Sequence, residues 1–271
     1  HGVFFYSYGF VGVLDSFPYR MLFGSGHCIG GGGEVAVNVN ASILVSGQGS
    51  KGVYARSVGI SDPNVTIAAG QNVVSFNGAT AVEIVGSNNN LNVLGTIGVG
   101  NFSTDTAITI DGAGAPSVLS AINNSGVIAG NINVQGVATL TNNSLGAIYA
   151  GPILNLGSNT NLITNSGLLG SRAMNGAAIA PTAITGSLNQ TNTGTLEVRL
   201  NQATGATDVF NVSGTASIDG SILPVQLNGG SVAPGSLSST FITAAGGLSA
   251  DGLQIASGSN TAIMTYGLSQ S

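Results

Sequence analysis

From Phe210 to Ile222 every second residue is apolar or glycine: Phe210, Val212, Gly214, Ala216, Ile218, Gly220 and Ile222. Asn211, Ser213, Thr215, Ser217, Asp219 and Ser221 fill the places between. Successive side chains of a strand point to opposite faces, so this alternation predicts half-buried β structure. A single strand rarely exceeds ~10 residues, so the run must bend while keeping its phase. Gly214 and Gly220 stand in the inward phase, where a missing side chain lets the chain turn. Short strands joined at glycine corners predict a coil. The preceding strand follows the same rule, with Leu196, Val198 and Leu200 inward and Thr195, Glu197 and Arg199 outward. Glu197 and Arg199 are expected to pair on the exposed face, ahead of a turn over residues 201–207.

Charged residues make up 6% of the 271 residues, against a usual ~25%. With 43% hydrophobic residues the chain is too apolar for simple disorder, so solubility must come from Asn, Ser and Thr at outward strand positions. Ile122-Asn-Asn-Ser-Gly-Val-Ile, Leu140-Thr-Asn-Asn-Ser-Leu-Gly-Ala-Ile and Ile163-Thr-Asn-Ser-Gly-Leu-Leu recur at roughly 20-residue intervals, a period of solenoids and arrays. These features predict an all-β fold, a right-handed single-stranded parallel β-helix with a C-terminal β cap. Asn at equivalent turns is expected to stack its amides into a ladder and to tolerate left-handed backbone.

The pattern divides the chain into three parts. Residues 1–33 crowd Phe4, Phe5, Tyr6, Tyr8, Phe10, Phe17, Tyr19 and Phe23 ahead of a glycine run. They are either a cap that blocks edge pairing or sequence outside the fold. Residues 34–185 hold the repeats, with strands expected over 72–76, 81–85, 91–94 and 107–110. The stretch 170–185 lacks alternation and reads as a loop or an irregular coil. Residues 186–271 form the C-terminal part, where 241–244 and 262–266 look like last strands and Pro224 and Pro234 frame a turn. No apolar run reaches the ~18 residues of a membrane helix. A start at His1 suggests a piece of a longer protein, with an export signal upstream and any anchor downstream.

Leu188, Gln190 and Thr191, then Gly194, Leu196 and Val198, then the run Asp208-Val-Phe-Asn-Val-Ser-Gly-Thr-Ala-Ser-Ile-Asp-Gly220 resemble the autochaperone region. This is the C-terminal passenger segment of bacterial autotransporters, the type V secretion family. Phe241-Ile-Thr-Ala-Ala-Gly-Gly-Leu and Thr265-Tyr-Gly-Leu resemble that family's final passenger strands. The resemblance covers roughly the last third of the chain. It implies a passenger exported through the outer membrane, displayed at the bacterial surface or secreted, whose C-terminal segment promotes folding of the rest. It also implies an outer-membrane β-barrel translocator in cis downstream of Ser271. An adhesive role would add a host-surface glycan or a second copy of the chain as partner. The alternating core from Leu196 to Ile222 is the expected folding core.

Other functions find little support. The formal net charge is −5, and the cations Arg20, Lys51, Arg56, Arg172 and Arg199 are scattered, so no nucleic-acid partner is expected. Cys28 is the single cysteine and belongs to no metal-ligand spacing. No cofactor is expected. The two histidines are His1 and His27, and Ser25-Gly-His-Cys28 reads as an irregular loop. Asp105 and Asp111 lie at opposite ends of one expected strand, more than ~15 Å apart at ~3.3 Å per residue, too far for paired carboxylates. Glu83 with Asp105 or Asp111 on a neighbouring coil remains the candidate pair. The chain is expected not to be an enzyme. The alternative is a β-helix polysaccharide-acting enzyme or a glycan-binding protein.

Overall fold

A computed structural model describes residues 35–58, 62–112, 119–172, 178–227, 236, 238–259 and 266–268, together with the backbone of three earlier strands, Val3–Tyr8, Gly12–Leu14 and Gly26–Gly31. The described residues contain strands and no helix. The strands form a sheet of ten and a sheet of eighteen. The chain visits the ten-stranded sheet once per coil and then runs through the other. Val35–Val39 is followed by Ile43–Ser46 and Lys51–Val58, after which Pro63–Ile67 stacks in parallel on Val35–Val39. This is a parallel β-helix.

Identical phase in every coil builds the core. In the ten-stranded sheet Val65, Leu91, Ile122, Leu140, Ile163 and Leu188 lie in register, and each is at most 1% exposed. In the other sheet Val73, Ile97, Ile128, Ile148, Leu169 and Leu196 form a second buried column. Burial of such a side chain contributes ~1.5–3 kcal/mol, and the contacts run mainly to the coils above and below, so stability accumulates coil by coil.

A column of glycines marks the corner after the ten-stranded sheet. A Cβ on Gly126 would run into the carbonyl oxygen of Gly95, and one on Gly220 into those of Gly194 and Thr191. Gly220 also has φ +75°, a conformation that L side chains rarely adopt. The bend inferred at Gly220 is therefore a point of close approach as well as of turning.

The N-terminal strands continue both sheets. Val3–Tyr8 pairs in parallel with Gly26–Gly31, which pairs with residues 53–58, and Gly12–Leu14 pairs with Val35–Val37. The segment around His27 and Cys28 is thus a strand and not the irregular loop expected, because a coil below supplies a ladder for it. At the other end Ser221–Gln226 stacks on Thr195–Leu200, and Gln254–Ile255 on Ser221–Ile222, so the C-terminal part extends the same columns. Among the described residues, the pairing of Ala206–Thr207 with Leu200–Asn201 is the antiparallel exception. Pro224 lies inside a strand, in register with Val198. The turn at 229–230, Pro234 and the strand expected over 262–265 lie outside the described residues.

Candidate functional site

The repeated asparagines face inward. Ile122 is inward, so Asn124 two residues on is inward as well, and the same holds for Asn142, Asn165 and Gln190. Each is at most 1% exposed. Asn124 Nδ2 donates to Asn142 Oδ1 at 2.8 Å, Asn142 Nδ2 to Asn165 Oδ1 at 2.7 Å, and Asn165 Nδ2 to Gln190 Oε1 at 3.1 Å. These steps span 18, 23 and 25 residues. Each asparagine also donates from Nδ2 to a backbone carbonyl of the same following coil, Ala147, Leu168 or Thr195. Gln190 Nε2 ends the ladder on the carbonyls of Asp219 at 2.7 Å and Ser221 at 3.3 Å. The ladder has a polarity: its hydrogens point towards the C-terminal coils, and the oxygens of Asn142, Asn165 and Gln190 towards the N-terminal ones, while Asn124 Oδ1 accepts from the Gly126 N–H of its own coil at 3.2 Å. Buried amides need such partners. The expected left-handed backbone is absent from these residues, since the described non-glycine residue with positive φ is Asn77, at φ 56°. Extended strand geometry suffices because the amides stack along a sheet rather than at a turn.

Below the ladder lies the expected C-terminal core. Leu196, Val198, Phe210, Val212, Ala216, Ile218 and Ile222 are buried, as is Gly214, where a Cβ would collide with the Asn159 carbonyl and the Ser187 hydroxyl. Leu200 is half-buried at the start of the antiparallel hairpin. The polar residues between them depart from expectation. Glu197 and Arg199 are 7% and 2% exposed, and they do not pair with each other. Arg199 Nε and Nη2 donate to both oxygens of Asp208, at 2.7 and 2.9 Å, and Nη2 also reaches the Ala178 carbonyl at 3.3 Å. Asp208 is fully buried and also accepts from the Arg199 backbone N–H at 3.1 Å. Arg172 Nη1 lies 2.6 Å from Glu197 Oε1 and its guanidinium lies over the Tyr149 ring, 4.6 Å from the centroid. The Arg172 contact is one of charge rather than an aligned hydrogen bond, as Glu197 Oε1 has no hydrogen-bond partner of good geometry. Arg172 against Glu197, and the Ala178 carbonyl with Asp208 against Arg199, occupy this outer face, so outward phase does not mean exposure here.

The carboxylates considered for catalysis have structural partners. Asp105 is fully buried and accepts from Gly78 N at 2.6 Å, Asn101 N at 2.8 Å and Thr104 Oγ1 at 3.1 Å. It ties the turn of residues 101–104 to the coil before it. Glu83 receives Lys51 Nζ at 2.6 Å, and that ammonium lies 4.4 Å from the Tyr54 ring centroid. Glu83 stands in register with Thr109, and Asp111 with Val85. Among the described residues no group of three His, Cys, Asp or Glu side chains could hold a metal.

The outer face of the ten-stranded sheet carries a second column. Asn38, Thr66, Asn92, Asn123, Thr141, Thr164, Asn189 and Ser217 stand in register on successive coils, Ser217 exposed and the other seven half-buried between their neighbours in the column. Sequence reasoning missed three features: the end of the inner ladder at Gln190, the role of Asp208 as partner of Arg199, and the strap in which Ser213 Oγ reaches Asn159 Oδ1 at 2.7 Å across 54 residues. The first had a signal, since Leu188-Asn-Gln190 repeats the phase of Ile163-Thr-Asn165. Comparison with family models, with curated proteins and with solved structures yields no match.

Proposed function

We propose that this chain is the C-terminal part of an autotransporter passenger, a β-helical stalk at the bacterial surface whose segment 186–271 folds first and templates the coils before it. The translocator barrel belongs downstream in cis, and export proceeds through the outer membrane. The observation that carries this reading is the polarity of the asparagine ladder.

A coil growing on a finished C-terminal stack meets a frontier residue whose amide hydrogens are already bonded and whose oxygen alone waits for a donor. Growth in the opposite sense leaves both hydrogens of each buried amide unpaired until the next coil arrives. Buried N–H groups without partners are rarer and costlier than under-satisfied carbonyls, so the ladder favours growth from the C-terminal end. Gln190 gives that growth its base, since it rests on backbone carbonyls instead of on a further side-chain amide.

Limited proteolysis of two variants tests the order. A carboxylate in the core is strongly destabilising. Val212→Asp is expected to make the whole chain protease-sensitive, whereas Ile67→Asp, at the far end of the stack, leaves residues 186–227 resistant. Equal sensitivity of residues 186–227 in both variants, or resistance of residues 35–172 in Val212→Asp, defeats the proposal.

A further inference from the structure

The outer faces of the helix differ in charge. Lys51, Arg56, Glu83 and Asp111 lie on the strands of the eighteen-stranded sheet, as do Glu197 and Arg199. The ten-stranded sheet from Val35 to Ser249 contains no Asp, Glu, Lys or Arg in any of its strands. Its outward residues are amides and hydroxyls, with an apolar strip at one edge. Leu119 and Val137 stand in register, each 57% exposed, and Leu162 is 38% exposed on the next coil.

We propose that this uncharged face binds an extended, neutral 1,4-β-linked polysaccharide lying along the coil axis. Neighbouring strands are ~4.8 Å apart, so Thr66, Asn92, Asn123, Thr141, Thr164 and Asn189 offer one polar group at each such step. The advance per sugar of an extended 1,4-β-linked chain is of the same order. Each asparagine amide and threonine hydroxyl both donates and accepts, which matches the dual character of sugar hydroxyls. Asn123 Nδ2 lies 3.3 Å from Asn92 Oδ1 and 3.5 Å from Asn90 Oδ1, and Asn90 Nδ2 3.4 Å from Asn64 Oδ1. The amides are therefore held in place before a ligand arrives, which lowers the ordering cost of binding. Leu162, two residues from Thr164 on the same strand, supplies contact for the axial C–H groups of the sugar rings. Leu119 and Val137, four residues from Asn123 and Thr141 and so about 13 Å across the face at ~3.3 Å per residue, border the track, consistent with exposed apolar patches marking binding surfaces. A charged polysaccharide gains nothing from this face. The inference goes beyond the scaffold role and does not depend on the order of folding.

Co-sedimentation of the full chain with insoluble cellulose and with chitin tests it. The chain is expected in the pellet with at least one of the two, at low and at high salt alike, because no ion pair is involved. Thr141→Glu/Thr164→Glu is expected to weaken binding about tenfold or more at an unchanged urea midpoint, while Asn133→Glu, on another face, binds as the parent does. If the glutamate pair lowers the midpoint, Asn123→Ala/Thr141→Ala/Thr164→Ala provides the same reading without added charge. Absence of the parent chain from both pellets overturns the proposal, as do equal retention of the face variants and sedimentation of the chain without polysaccharide. Protease resistance reads the folding proposal separately, so the two fail independently.

Discussion

Asn165 donates its buried amide to Gln190 across 3.1 Å, and at that contact the column of asparagines passes to a residue one methylene longer. The extra length lets Nε2 reach past the next coil's side chains to the Asp219 and Ser221 carbonyls. Ile218 holds the equivalent place in that next coil, so an asparagine at 190 would face a hydrocarbon.

Gln190→Ala removes the acceptor of Asn165 and the donor to two carbonyls. At ~1–3 kcal/mol per buried group left unpaired, the loss of stability is about 3 kcal/mol, read as a fall in the urea midpoint. A change below about 0.5 kcal/mol means that the ladder does not rest on this residue.

Asp208→Ala strands the Arg199 guanidinium in a site 2% exposed. Removing one partner of a buried pair costs about 3–5 kcal/mol, whereas replacing both with apolar residues is often nearly neutral. Arg199→Met/Asp208→Leu is therefore expected to be more stable than Asp208→Ala in equilibrium unfolding, and the reverse order would refute the assignment of a desolvated pair.

Gly220 and Gly258 both have positive φ, +75° and +82°, but only Gly220 has carbonyl oxygens where a Cβ would go. Gly258→Ala meets open space and costs the conformational strain alone, about 1–2 kcal/mol. Gly220→Ala adds a steric clash and is expected to lower thermal stability distinctly more. Equal melting temperatures for the two variants contradict the close packing of that corner.

Asp105→Ala leaves the N–H groups of Gly78 and Asn101 without their carboxylate. Cleavage by a broad-specificity protease is expected to appear within residues 100–105 while the flanking strands stay protected, and Asp105→Asn, which keeps one oxygen acceptor, is expected to be cut more slowly. Mass spectrometry of the fragments locates the cut.

The coil was legible in the sequence because it depends on phase, and phase is local. Phe210 to Ile222 announces both the inward column and the glycine corner. The same logic, pursued from Ile122 to Asn124, leads to the buried ladder, but the turn preference of Asn-Ser-Gly masks it. Glu197 and Arg199 show where phase fails: they point out from their strand, yet Arg172 lies against Glu197 and the Ala178 carbonyl and Asp208 meet Arg199, and no pattern within residues 195–201 encodes those partners. The setting of Asp105 was illegible for a related reason, because two of the three groups that hold it are the backbone N–H groups of Gly78 and Asn101, which leave no trace in residue types.

The coils differ in length yet keep their columns, with 18 residues between Asn124 and Asn142 and 25 between Asn165 and Gln190. Position along the helix is thus counted in coils and not in residues. Excision of residues 143–165 joins Asn142 directly to Ser166, and the junction Leu140-Thr-Asn-Ser-Gly-Leu repeats the local order of Ile163-Thr-Asn-Ser-Gly-Leu. A gene for such a protein has a quantum of inheritance: whole coils can be lost or duplicated by unequal recombination between repeats, and the β-helix grows or shrinks in units of one strand spacing without a new core having to be invented.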